Sequence, residues 1–161
     1  MSTSRPGVVV GISGPPGTEL GVRVLEALRR RGVETHLVMT TQAERALTSE
    51  ELARADHLYA ISNQAARISS GSFPTRGMVV APCDLDAFTA ISLGLSRNLL
   101  ERAADVTIKE RRLLVLLVDG GPFGAQWHDM AGRFEGTTTD IIPVGEDFDV
   151  AIQRALDALP D

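Results

Sequence analysis

Four stretches of the chain, Val8–Ile12, Thr35–Met39, Met78–Ala81 and Leu113–Val118, are short, rich in β-branched residues and apolar rather than alternating. A strand covered on both faces reads this way, so the pattern predicts a parallel sheet with helices on both sides. Between the first two runs, Leu20, Val24, Leu25 and Leu28 recur at helical spacing while Arg23, Glu26, Arg29 and Arg30 take the other face. Gly32 supplies the stop, which completes one β-α-β unit. A second helix is expected behind a cap at Thr48 or Ser49, with Glu50 and Glu51 in its first turn. Leu85–Ala104 reads as the longest helix, interrupted near Gly94. Ile141–Val144 reads as a last short strand and Phe148–Leu159 as a closing amphipathic helix. There is no repeat, linker or low-complexity tract, and 161 residues suit one α/β domain over 1–161.

In an open parallel sheet the ligand lies beyond the carboxyl ends of the strands, where the strand order switches. That rule selects the loops Ser13–Thr18, Thr40–Gln42, Pro82–Asp86 and Asp119–Phe123. The first is the most informative, because Gly11-Ile12-Ser13-Gly14-Pro15-Pro16-Gly17-Thr18-Glu19-Leu20-Gly21 leads from a buried strand through glycines into a helix. The opening N–H groups of a helix lack internal acceptors and carry the positive end of its dipole, so an anion is a natural guest. Nucleoside triphosphate hydrolysis is disfavoured, since Glu19-Leu20 stand after Thr18 where a phosphate loop needs Lys and Ser/Thr. The spacing Gly11, Gly14, Gly17, Gly21 also fails the dinucleotide pattern Gly-x-Gly-x-x-Gly. A small cofactor with one phosphate fits better; the competing reading is a glycine-rich turn that only joins strand to helix. Thr40 and Thr41 can donate to the same phosphate, or Thr40 can cap the next helix.

A net charge of -5 without a basic cluster argues against nucleic acid and anionic membranes as partners. No apolar run approaches the roughly 20 residues that span a bilayer, and the N-terminus lacks the apolar core of a signal peptide. A cytoplasmic location is the expectation. A lone cysteine, Cys83, makes no internal disulfide. His36, His57 and His128 are far apart in the sequence and no Cys-x-x-Cys occurs, so no metal site is expected.

Several segments in order resemble the flavin prenyltransferases of the UbiX type, relatives of the homo-oligomeric flavin-containing cysteine decarboxylases. They are Gly11-Ile12-Ser13-Gly14 with Gly17 and Gly21, Glu34–Thr40, Ile68-Ser69-Ser70-Gly71-Ser72-Phe73, Gly77–Cys83, and Asn98–Arg112 with its Arg102-Ala103-Ala104-Asp105 and Lys109-Glu110-Arg111-Arg112. The resemblance runs from Val8 to about Val118. It implies a Rossmann-like, flavodoxin-type three-layer α/β sandwich that binds FMN at a subunit interface in a homo-oligomer, a trimer or dodecamer. Members of that family transfer a dimethylallyl group from dimethylallyl phosphate to reduced FMN without a metal, and the product serves a partner decarboxylase. The resemblance assigns FMN contacts to Ser13, Gly14, Gly17, Thr40, Pro82, Cys83, Asp84 and Arg102. It matches Glu50 and Lys109 to catalytic positions. Each of these charges, taken alone, also reads as ordinary solvated surface.

The departures carry as much information. The family's Gly-Ala-Ser-Gly is here Gly14-Pro15-Pro16-Gly17, which removes a hydroxyl and two N–H donors. A family serine and threonine become Asp84 and Ala87, and Arg-Glu-Thr-Pro becomes Asp119-Gly120-Gly121-Pro122. An arginine that helps to hold a phosphate has thus changed sign, and a catalytic glutamate has become glycine. The family's closing tyrosine- and proline-containing stretch and its further arginine are not matched after Pro143. Cysteine decarboxylase chemistry is not supported either, because its histidine and asparagine are replaced in Ser70–Phe73 and Asp84–Ala87. His128, after Trp127, is a candidate acid–base group over the flavin or a surface helix histidine. The leading expectation is an FMN-binding enzyme that has lost efficient prenyl transfer and acts on a small substrate, with Asp84, Asp119, Glu50 and Lys109 as candidate catalytic groups. The alternatives are an active prenyltransferase completed by neighbouring subunits, and a non-catalytic flavin carrier that serves a partner enzyme.

Overall fold

The structure is a computed structural model and describes residues 5–121 and 124–161. Strands β1 (Gly7–Ile12), β2 (Thr35–Met39), β3 (His57–Tyr59), β4 (Thr75–Val80), β5 (Leu113–Asp119) and β6 (Thr139–Val144) form one sheet in the order β3-β2-β1-β4-β5-β6. Every pairing is parallel. The helices are α1 (Thr18–Arg30), α2 (Thr41–Arg45), α3 (Ser49–Leu52), α4 (Leu85–Ser92), α5 (Leu99–Lys109), α6 (Gly124–Ala131) and α7 (Phe148–Ala158). Without the three-residue edge strand β3, the order reduces to the 2-1-3-4-5 of flavodoxin-type sheets.

The two faces of the sheet follow from the period of two along each strand. Val8, Val10 and Ile12 of β1, with Leu37, Val79, Val115 and Leu117, pack under α1 and α7. Val9, Val38, Met78, Val80, Leu114 and Leu116 pack against α4, α5 and α6 on the other side. The inner strands β1, β2, β4 and β5 therefore bury both of their faces, which is why their sequences do not alternate. Gly21 lets α1 approach the sheet closely: a Cβ there would sit 2.5 Å from the Ala81 carbonyl oxygen.

The helices follow the sequence reading in part. The stretch from Leu85 is interrupted near Gly94, as expected: α4 ends at Ser92, just before Gly94 (φ 71°), and α5 starts only behind its own cap, Asn98, whose side chain accepts the Glu101 N–H, and runs on to Lys109. The helix expected behind Thr48 is the short α3, where Thr48 and Glu51 form a reciprocal capping box. Both β3 and α6 lie outside the sequence expectations. Among the described residues no helix is long and apolar enough to cross a membrane.

Candidate functional site

The strand order switches between β1 and β4, and the loops at their carboxyl ends are tied together by one side chain. Ser13 is fully buried; its hydroxyl donates to the Pro82 carbonyl (2.9 Å) and accepts the Asp84 N–H (2.8 Å). Thr40 does the equivalent between the first two loops, donating to the Gly14 carbonyl (3.3 Å) and capping α2 by accepting the Ala43 N–H (3.2 Å). Both hydroxyls are thus committed to shaping loops. In the first turn of α1 the Leu20 N–H is taken by the Gly17 carbonyl (3.0 Å), and the N–H groups of Thr18 and Glu19 have no intrahelical acceptor. The cap of α1, Gly17, adopts a left-handed φ of 92° and offers no side-chain acceptor, and Pro15 and Pro16 carry no N–H.

Beyond these loops lies a cleft of about 500 Å³, walled by Pro16, Pro82, Leu85, Phe88, Val118 and Trp127, with Cys83, Asp84, Asp119 and Gln126 at its polar edge. It adjoins a second lobe of about 320 Å³ that reaches Gly17, Glu19 and Phe148. Trp127 comes from α6 and is fixed by its indole N–H, which donates to the Asp119 carbonyl (3.1 Å). Phe88 packs between Trp127 and Phe134, with ring centroids 6.4 and 5.4 Å away. An apolar cleft lined by proline rings and an indole suits an aromatic ligand.

The charges along this cleft are of one sign. Among the described lining residues the ionisable carboxylates are Asp84, Asp119 and Glu19, and no lysine or arginine lines either lobe. Asp84 is the N-cap of α4, with one carboxylate oxygen accepting the Ala87 N–H (2.9 Å). Asp119 is exposed and accepts the Gly121 N–H (2.9 Å). Burial, reinforced by Asp84, pushes the Cys83 thiol well above its ordinary range, so Cys83 presents a neutral thiol and not a nucleophile.

The sequence candidates therefore fall into two groups. Gly17, Pro82, Cys83, Asp84 and Asp119 line the cleft, and Ser13, Gly14 and Thr40 build its loops. Glu50 on α3, Arg102 on α5 and Lys109 in the last turn of α5 are exposed and line neither lobe. Lys109 is paired with Asp105 at 2.7 Å. His128 is exposed on α6 and stacks on Trp127 at 4.0 Å. Pro122 and Phe123, part of the fourth candidate loop, lie outside the described residues. Phe88 and Gln126 were not anticipated; Phe88 stands four residues after Asp84, on the same helix face, which is the signal that identifies it.

A family model described as Flavoprotein matches residues 1–130. The chain belongs to the flavoprotein family. Over 122 residues it is 47% identical to the flavin prenyltransferase UbiX of Neisseria meningitidis serogroup B; the match covers 71% of this chain and 65% of that relative. The chain thus spans slightly less than two thirds of that relative's length. Among solved structures of the family, AnUbiX in complex with FMN and dimethylallyl pyrophosphate superposes with a TM-score of 0.87 at 36% identity, covering 96% of this chain and 92% of that one. A dodecameric FMN-dependent UbiX-like decarboxylase from Escherichia coli gives 0.84 at 34% identity, covering 94% and 92%. Within the flavoprotein family the chain is of the UbiX type.

Proposed function

We propose that this UbiX-type flavoprotein binds FMN in the cleft at the β1–β4 switch and carries out flavin-dependent chemistry on a small substrate, having lost efficient prenyl transfer. The observation that carries the reading is the apolar slot between Pro16, Pro82, Phe88 and Trp127, set beside the uncapped first turn of α1. The slot fits an isoalloxazine ring, and the open N–H groups of α1 fit a single phosphate. A bound flavin supplies the redox and ring chemistry. Trp127 and the prolines orient the ring, Ser13 and Thr40 hold the loops at the spacing the phosphate needs, and the neutral Cys83 thiol excludes covalent attack from that wall. The cation that balances the phosphate comes from outside the cleft of one chain. Exposed Arg102 and Lys109 are the groups that a second copy presents, and a homo-oligomer completes the site.

Loss of prenyl transfer rests on the charge of the cleft. A prenyl phosphate leaving group needs donors and cations where negative charge develops. Here Asp119 ends β5 at the cleft edge, Gly120 follows it with no carboxylate, and Pro16 replaces a donor. The missing groups act together, and the loss of one cooperating group lowers rates by factors of about 10² to 10⁴. The alternative, an active flavin prenyltransferase, is supported by the retention of Glu50, Arg102 and Lys109 on surfaces available to a neighbouring subunit. Anaerobic incubation of the protein with reduced FMN and dimethylallyl phosphate, followed by mass spectrometry of the flavin, separates the two. Unchanged FMN is the expected result; efficient formation of prenylated FMN overturns the loss and leaves the active enzyme as the reading.

A further inference from the structure

At the end of the sheet opposite the cleft, the register of the strands gathers a group of side chains that the flavin reading does not use. Glu34 lies two residues before His36, so extended backbone sends both side chains to the same side. The β2–β3 pairing places His57 directly beside His36, and the two imidazoles stack at 4.7 Å with their planes 9° apart. The Glu34 carboxylate oxygen Oε1 is 2.6 Å from His57 Nε2 and 3.8 Å from His36 Nε2. One ligand atom from each of the three residues lies within 4.8 Å of the other two.

The surroundings prepare His36 for this role. Its Nδ1 is 2.9 Å from the Tyr59 hydroxyl, and Phe73 packs edge-on against the ring at 5.2 Å, so the imidazole cannot turn away from Glu34. In the tautomer that donates Nδ1–H to Tyr59, the lone pair is on Nε2, facing Glu34 and His57. Such an outer partner is what fixes the orientation and tautomer of metal-bound histidines. Two cations lie nearby: Arg67, engaged by the Tyr59 hydroxyl (2.7 Å) and the Phe73 ring, and Arg29, which lines the same depression as Glu34 and His57. Glu34 and His57 are 41% and 37% exposed and border an open depression of about 560 Å³, so an ion and a water molecule can enter.

We propose that Glu34, His36 and His57 bind one divalent transition-metal ion of the Zn²⁺ class, with water in the fourth position. Two imidazole nitrogens and one carboxylate select such an ion over Mg²⁺ or Ca²⁺, which prefer all-oxygen shells. Binding replaces the Glu34–His57 hydrogen bond: a neutral His57 gives up its Nε2 proton and takes one at Nδ1, a protonated His57 releases its Nε2 proton to solvent, and the two exposed side chains move apart to ligand spacing. The ion then staples the three-residue strand β3 to the segment that leads into β2.

The test uses untagged, metal-stripped protein titrated with Zn²⁺ in competition with a chromophoric chelator. One Zn²⁺ per chain is expected. His57→Ala and Glu34→Gln should each weaken it by at least about tenfold, the lower end of what even an outer-shell loss produces. His128→Ala removes an exposed histidine on another helix and should leave the affinity unchanged. Should His57→Ala not fold, Co²⁺ added to the unmodified protein decides, since a tetrahedral ligand set gives intense visible absorption and a weakly held aqueous ion does not. Absence of one-to-one binding, an unchanged affinity in folded His57→Ala, or only the aqueous Co²⁺ spectrum overturns the proposal.

Discussion

Trp127 is the side chain on which the proposed ring site leans most, because it closes the apolar slot and is locked to the Asp119 carbonyl through its indole N–H. Trp127→Ala is expected to weaken FMN binding by about tenfold, in line with about 0.5–1.5 kcal/mol for an aromatic pair beyond its buried area. Trp127→Phe should recover most of that loss; equal FMN affinities for all three proteins, read by flavin fluorescence quenching, would remove the ring from this slot. Asp119 stood out in the sequence as a change of sign from the family it resembles, and it lies at the cleft edge. Ser13 and Thr40 were legible as polar residues of the right loops. Their hydroxyl partners were not, since contacts to Pro82, Asp84 and Gly14 depend on how separate loops meet.

The α4–α5 break shows why element boundaries are harder to read than elements. Gly94 marks the interruption in the sequence, but the caps decide where the helices on either side of it end. Asn98 caps α5 through the Glu101 N–H, and Glu101, almost fully buried, receives Arg97 in a paired contact at 2.9–3.3 Å. Burial pushes the Glu101 carboxyl up, while the hydrogen bonds from Arg97 and then Asn98 pull it down further, leaving it below its ordinary value of 4.5. The folded state therefore binds fewer protons than the unfolded chain in that range. This stabilisation is present above pH 4.5 and is lost as pH falls through the lowered value. Thermal melts between neutral pH and pH 3 should show a decline that is shallower in Glu101→Gln; identical slopes would remove Glu101 as a contributor. Asn98→Ala should lower stability by about 1 kcal/mol through the lost cap, measured by urea unfolding. The strand β3 escaped the sequence reading for a different reason. Three half-exposed residues at a sheet edge carry no measurable period, and only the register reveals that His57 is the neighbour of His36.

The whole molecule was the most legible part of the chain: one α/β domain with a parallel sheet follows from buried strands alternating with amphipathic helices. Of the candidate site, the sequence made legible the loops that line the cleft. Glu50, Arg102 and Lys109 sit on exposed surfaces, and their use in a site depends on an assembly that no periodicity within one chain encodes. Light scattering of the purified protein should give at least a trimer, and a monomer with full FMN occupancy would exclude groups supplied by a neighbour. The account turns on whether the switch-point cleft is a flavin site, and equilibrium titration of the purified apoprotein with FMN, FAD and NAD tests that claim directly. It predicts one FMN per chain, bound more tightly than FAD and without measurable preference for NAD; failure to bind any flavin, or a preference for NAD, would contradict it.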